Sequence, residues 1–274
     1  MLHVLAGANS FAEVEKNIAS RPAASYGTAV TPAVGSKGSW TQIFSALAND
    51  TYGLLICINN NRTSASSRNS VLDVGIGAAS SEILLIADII SGNANPYTLG
   101  GLWYYFPVAI PAGTRVAVRA QGTVTTSFRV YIQAMQKPMN PSVLKKASYT
   151  ETIGMTAPQG TAITAGTGSE GAWTLLGTTT RRLWFWQVGL QVSSADTAHQ
   201  NAVVHVDLAE GDGTNFNFLL RDVVFVTASS EGATLTPLTL ASEVPVDPGT
   251  SIYARSQTSG NVDPTFIAAY GAGG

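Results

Sequence analysis

Cysteine and charge are what this sequence has least of. A single cysteine, Cys57, excludes an intrachain disulfide framework and a thiolate zinc cluster, because both need several sulfurs at defined spacing. It sits in Leu54-Leu55-Ile56-Cys57-Ile58, where a thiol reads as a small buried hydrophobe. Charged residues make up 12% of the chain, against roughly 25% in an average soluble domain. With 15 basic and 17 acidic side chains there is no uniform positive field, which argues against a nucleic-acid partner. Long apolar runs are missing too. Ile83 to Ile90 is broken by Asp88 and falls well short of the roughly 20 residues a bilayer helix requires. The opening Met1-Leu2-His3-Val4-Leu5-Ala6-Gly7 lacks the basic and apolar regions of an export signal. The expectation is a soluble protein without a membrane partner.

What the sequence does contain is repetition. Gly27-Thr28-Ala29-Val30-Thr31 returns as Gly160-Thr161-Ala162-Ile163-Thr164. Gly35-Ser36-Lys37-Gly38-Ser39-Trp40 returns at the same spacing as Gly168-Ser169-Glu170-Gly171-Ala172-Trp173. Pro111-Ala112-Gly113-Thr114, followed by Arg119-Ala120-Gln121, is matched by Asp247-Pro248-Gly249-Thr250, followed by Arg255-Ser256-Gln257. Each copy closes on a similar strand, Val130 to Met135 and Thr265 to Tyr270. Matched blocks in the same order mark an internal duplication. It places one domain at 22–137 and a second at 151–274, joined by a 138–150 linker in which Pro138 and Pro141 oppose regular structure.

Residues 1–21 form an N-terminal arm outside the repeat. Asn9-Ser10, with Glu13 in capping-box position, predicts a short helix whose Phe11, Val14 and Ile18 share one face. So short a helix needs a surface to bury that face, either its own domain or a neighbouring subunit, which makes these three residues candidates for an assembly contact.

Within the domains the signals are strands. Period-two alternation runs through Val71 to Ile76, Arg115 to Ala120, Phe128 to Ile132 and Ala202 to Leu208, punctuated by turn clusters such as Asn59-Asn60-Asn61 and Gly211-Asp212-Gly213. The fold class predicted is all-β: two tandem antiparallel β-sandwiches of jelly-roll type.

Candidate chemistry is sparse. Of the histidines His3, His199 and His205, none has a counterpart in the first copy, and no G-x-S-x-G elbow occurs, so no catalytic residue is assigned. The acidic stretch Asp207-Leu208-Ala209-Glu210-Gly211-Asp212-Gly213 could offer oxygens to calcium. It departs from the EF-hand pattern, however, and reads as a solvated turn, so neither metal nor cofactor is expected. Trp184 and Trp186, two apart on a predicted strand, project to one face. Exposed, they could stack on a sugar or anchor a partner; buried, they fill the core. Trp40 and Trp173, each after a Gly-rich turn, suggest a shared packing role. Charge divides unequally, with seven Lys and Arg against four acids in 22–137 but four Arg against eleven acids in 151–274. Opposite potentials of this kind favour head-to-tail contact between subunits.

The phrase Tyr105-Phe106-Pro107-Val108-Ala109-Ile110-Pro111-Ala112-Gly113-Thr114-Arg115-Val116-Ala117-Val118-Arg119, with its weaker second copy, resembles the tandem β-sandwich virion proteins of tailed bacteriophages. That resemblance implies a non-enzymatic virion component, such as a capsid decoration or tail-associated subunit, made in the bacterial cytoplasm. Its implied partners are further copies of itself and other virion proteins. The alternative is a carbohydrate- or receptor-binding module, with a surface glycan as partner and exposed Trp184 and Trp186 as its mark.

Overall fold

The computed structural model describes residues 11–16, 27–59, 69–91, 102–138, 145–156, 158–192, 202–228, 231–235, 243–260 and 264–274. Among these residues there is no helix, and the chain is built from four mainly antiparallel sheets. The first half supplies β1 (Phe11–Lys16), β2 (Thr28–Val30), β3 (Ala33–Val34), β4 (Thr41–Phe44), β5 (Thr51–Asn59), β6 (Ser70–Ile76), β7 (Ile83–Ile90), β8 (Leu102–Phe106), β9 (Val116–Gly122) and β10 (Phe128–Pro138). The second supplies β11 (Tyr149–Ile153), β12 (Met155–Thr156), β13 (Gln159–Thr164), β14 (Gly166–Thr167), β15 (Thr174–Thr178), β16 (Phe185–Val192), β17 (Val203–Gly211), β18 (Phe216–Ala228), β19 (Glu231–Leu235), β20 (Ser251–Thr258) and β21 (Pro264–Gly273).

Each half folds into two sheets around an apolar core. In the first, β1-β10-β5-β8, with β2 also on β10, lies against β3-β9-β6-β7, with β4 also on β9. In the second, β11-β21-β13-β12, with β16 also on β21, lies against β14-β20-β17-β18-β19, with β15 also on β20. Pairings correspond between halves: β2 on β10 as β13 on β21, β6 between β7 and β9 as β17 between β18 and β20, and the short parallel pairs β3–β9 and β14–β20. They differ at β8, which extends β5, whereas β19 extends β18. The repeated glycines have a physical cause. A Cβ at Gly27 would collide with the Val130 carbonyl and one at Gly160 with the Ile267 carbonyl, so only glycine lets the backbone lie this close to the last strand of each half.

The N-terminal helix is not what forms. Phe11–Lys16 is β1, laid antiparallel on β10 from Phe11 opposite Pro138 to Lys16 opposite Gln133. Pairing on a preformed strand supplies the backbone hydrogen bonds that so short a helix cannot secure alone. Phe11 and Val14 thus sit in the ladder of the chain's own sheet, while Ser10 and Ile18 lie outside the described residues. Since β11 pairs with β21 just as β1 pairs with β10, this segment belongs to the repeat.

The halves do not hang on a free linker. Edge strands β7 and β8 flank an open side of the first sandwich, and the outer face of the β11-β21-β16 sheet closes it. Ala268, Tyr270 and Ala272 of β21 belong to the first core, whereas Ile267 and Ala269 belong to the second, so β21 is buried on both faces. Tyr104 and Phe106 of β8 meet the Tyr270 ring edge-on at 5.5 and 6.0 Å. Along β7, the Thr150 and Thr152 hydroxyls donate to the Leu85 and Ala87 carbonyls, each at 2.6 Å, which blunts an otherwise open edge. Even the connecting segment is tied in, through Ala147, whose amide donates to the Pro107 carbonyl at 2.7 Å.

Candidate functional site

The outer face of the β9-β6-β7 sheet carries a charged constellation that recurs on the β20-β17-β18 sheet. Its origin is strand alternation: Val118 and Ala120 point into the core, so Arg119 points out, directly opposite Asp73 in the ladder. Arg255 and Asp207 hold the same register in the second copy. Each aspartate is nearly sealed, at 1% and 3% exposure. A buried carboxylate needs donors, and these have them. Asp73 Oδ2 accepts Arg119 Nε at 2.9 Å and Asp73 Oδ1 accepts the Asp88 backbone N–H at 3.0 Å. Asp207 Oδ2 accepts Arg255 Nε at 2.9 Å and Asp207 Oδ1 accepts the Asp222 N–H at 2.8 Å.

The amide donor lies at the same irregularity in both copies. Leu72 and Val74 oppose Ile89 and Ile86, and Val206 and Leu208 oppose Val223 and Leu220, so two residues bulge opposite one aspartate. Asp88 and Asp222 occupy these bulges at φ of 55° and 52°, a left-handed conformation that Asp tolerates better than most side chains. The repeated tryptophans complete the unit. The guanidinium of Arg119 lies 4.5 Å from the Trp40 ring centre, and that of Arg255 lies 4.5 Å from Trp173. Their shared role is packing, as the sequence suggests, against arginine in each case.

The copies part at one position. In the first, the Lys37 ammonium sits between Asp73 Oδ1, at 2.6 Å, and Asp88 Oδ1. In the second, the matching residue is Glu170, whose carboxylate meets Arg255 Nη2. Glu170, Asp207 and Asp222 each bring an oxygen within 4.8 Å of the others, and His205 Nδ1 lies 3.9 Å from Asp222 Oδ1. Beside this cluster the second copy adds rings: Trp173 stacks on Phe216 at 4.7 Å, Tyr253 meets Phe216 edge-on at 5.2 Å, and Phe218 is 39% exposed.

The other candidates from sequence fall elsewhere. Trp184 and Trp186 do not share a face. Trp184 lies before β16 in the first core with the Lys145 ammonium 4.6 Å over its ring, while Trp186 lies fully buried in the second and donates its Nε1–H to the Val244 carbonyl at 2.9 Å. Their burial leaves neither ring a face for a sugar. Asp212 works as a turn cap, its Oδ1 accepting the Thr214 and Asn215 amides at 2.8 and 2.7 Å, and those bonds hold its carboxyl down at about 2. His205 faces outward from β17, and His3 and His199 lie outside the described residues.

At the junction of the halves a recess of about 340 Å³ opens between Leu84 and Leu85 on one side and Tyr149, Glu151 and Arg181 on the other. Glu151 Oε1 accepts the Thr180 amide at 2.8 Å, and its buried Oε2 has no hydrogen-bond partner among the described residues. Next to the recess, Ile83 is 70% and Leu84 48% exposed.

No family model and no characterised protein matches the chain by sequence. Among solved structures it is similar to PNGase F, a glycosylasparaginase from Flavobacterium meningosepticum, at 7% identity and a TM-score of 0.37, over 95% of this chain and 96% of that one. It is similar to a chain in the complex of plant peptide RALF23 with FER and LLG2, at 11% identity and a TM-score of 0.33, over 96% and 88%. The CBM22 tandem domain of Paenibacillus barcinonensis Xyn10C gives 8% identity and a TM-score of 0.22, over 82% and 79%.

Proposed function

We propose that the protein is a non-enzymatic structural subunit of a tailed-bacteriophage virion, a capsid decoration or tail-associated component working through protein contacts. The observation that carries this reading is the apolar edge at the junction. Ile83 and Leu84 stand exposed at the start of an edge strand, beside a recess shared by both sandwiches, on a pair of domains locked together by a common core. Large apolar side chains left exposed at the start of a rigid edge strand suit a protein–protein contact. The segment carrying the phage-protein resemblance, Tyr105 to Arg119, runs from β8 through β9 and supports the same assignment.

The test is a double substitution, Ile83→Lys with Leu84→Asp, followed by quantification of the protein in purified virions by mass spectrometry. The expected result is loss from particles with an unchanged melting temperature. Absence of the wild-type chain from virions would overturn the proposal.

A second reading, a glycan-binding module, draws on the Trp173–Phe216–Phe218–Tyr253 group on an outer sheet face, in which Phe218 is 39% exposed and offers apolar ring surface to a sugar. A glycan array with Phe218→Ala as the control decides it: binding lost in the variant supports this reading, and an empty array removes it.

A further inference from the structure

We infer, resting on the reading of the junction edge as a protein contact, that its partner is a second copy of this chain, bound head to tail through a basic ridge beside that edge. Strand order builds the ridge. β11 and β16 pair with β21 on either side of it and both begin at its last residues, where the Ser148 amide donates to the Gly273 carbonyl at 2.8 Å and the Trp184 amide to the Ala272 carbonyl at 3.0 Å. The residues leading into the two strands, Lys145-Lys146 and Arg181-Arg182, are therefore neighbours, and all four are exposed. Arg182 meets Asp247. The other three make no ion pair among the described residues and rest on rings instead: Lys145 lies 4.6 Å over Trp184, Lys146 4.1 Å over Tyr52 and Arg181 4.9 Å over Tyr149. Aromatic support holds a cation in place without neutralising it. Arg181 and Leu84 line the same recess, so the ridge is continuous with the exposed Ile83 and Leu84, and the acid in the recess wall, Glu151, is turned to the Thr180 amide.

The complement lies on the same chain. Residues 151–274 hold eleven acids, and apart from Arg181 and Arg182 of the ridge only Arg221 and Arg255 oppose them. Both of these are engaged already, Arg221 with Asp222 and Arg255 with Asp207 and Glu170. On β18, Phe218 and Val224 stand 39% and 41% exposed on either side of the Asp222 bulge, and the carboxylates of Glu170, Asp212 and Asp222 are exposed on this sheet and its turn. Each surface thus joins large apolar side chains to charge, basic on one and acidic on the other, and such matching fixes orientation and disfavours pairing of like with like. The ridge belongs to the β11-β21-β16 sheet and the acidic face to the opposite sheet of the same sandwich, so one chain cannot close the contact on itself. The pairing is heterologous and continues from molecule to molecule, as a ring if the rotation closes and as a filament if it does not.

The test is analytical ultracentrifugation of the full chain. The wild type should associate with concentration, and less so as salt rises from about 0.1 to about 1 M, where the screening length falls from about 10 to about 3 Å. Lys146→Glu with Arg181→Glu should weaken association at least about tenfold at an unchanged melting temperature, and so should Asp222→Asn with Val224→Lys, in which asparagine suits the left-handed bulge. Mixed in equal amounts, the two variants should form dimers with wild-type affinity and nothing larger, because one keeps the acidic face and the other keeps the ridge. Should the reversed ridge fold poorly, Lys146→Gln with Arg181→Gln removes the charge alone and should weaken association about two- to tenfold. A wild type found in virions that nonetheless sediments as a monomer at every concentration up to about 1 mM overturns this pairing and leaves the virion assignment standing; association through these faces by a chain absent from virions does the reverse. Variants that each associate like the wild type, or a mixture of the two that stays monomeric, also overturn the pairing.

Discussion

The Tyr270 hydroxyl, carried by the last strand of the second sandwich, accepts the backbone N–H of Ile90 in the first at 2.8 Å. It also donates to the Asp88 carbonyl at 3.3 Å, and the Tyr104 hydroxyl donates to the Ile90 carbonyl at 2.8 Å, so the end of β7 is held by phenols from both halves. Burial pushes both hydroxyls far above the ordinary phenol range, so they remain protonated donors wherever the protein folds.

Tyr270→Phe keeps the ring and strands the buried Ile90 amide. The expected loss is about 1–3 kcal/mol, measured by chemical denaturation. Because the ring belongs to the first core, the wild type should unfold in a single calorimetric transition, and Tyr270→Ala, at about 3–5 kcal/mol, should separate it into two.

Gln191 is fully buried, and neither polar atom of its side-chain amide has a hydrogen-bond partner among the described residues. Replacing it with a leucine removes that desolvation cost at similar volume, so Gln191→Leu should stabilise the protein by about 1–3 kcal/mol. A lower denaturation midpoint in the variant would contradict this.

The buried and the exposed ion pairs should behave very differently. Asp73→Ala strands the Lys37 and Arg119 cations around a sealed site, at an expected cost of about 3–5 kcal/mol. Arg182 and Asp247 are 68% and 78% exposed at 3.3 Å, and Arg182→Ala should change stability by less than about 1 kcal/mol. Urea midpoints of the two variants make the comparison.

Asp212 sets a pH limit on its turn. Its folded carboxyl titrates at about 2, below the value near 3.9 in an unfolded chain. Its contribution is therefore complete above about pH 4 and fades as the pH falls through about 2. Amide shifts of Thr214 and Asn215 followed by NMR should hold between pH 6 and 4 and move near pH 2; movement centred near pH 4 would refute the cap.

Much of this architecture was readable in the repeat. Matched glycine turns and closing strands locate both sandwiches because each glycine answers a fixed backbone contact, as Gly27 and Gly160 do. The N-terminal segment carries a local helix signal in Ser10 and Glu13, while the partner that makes Phe11–Lys16 a strand lies more than a hundred residues away on β10. Period two puts Trp184 and Trp186 on a common face only if both lie in the strand, and Trp184 precedes β16. Arg119 and Arg255 are visible as repeats, but of their partners Asp73 reads as an ordinary strand position and Asp207 as the head of a solvated acidic turn, whereas it is a buried residue of β17. An aspartate flanked by core residues in both copies was the available signal. The closure of the first sandwich also left a trace: Phe266 to Ala272 is nearly all apolar, as expected of a strand buried on both faces.

That two-faced strand fixes an order of events during synthesis. The first sandwich has all its own strands once β10 has left the ribosome, but its open side waits for β21, more than a hundred residues later. At roughly 5–20 residues per second, Tyr104 and Phe106 stay uncovered for several seconds to half a minute on every nascent chain. Throughout that interval the N-terminal half is exposed to chaperones and to neighbouring nascent chains on the same message, and maturation of the first repeat ends only with translation of the last strand of the second.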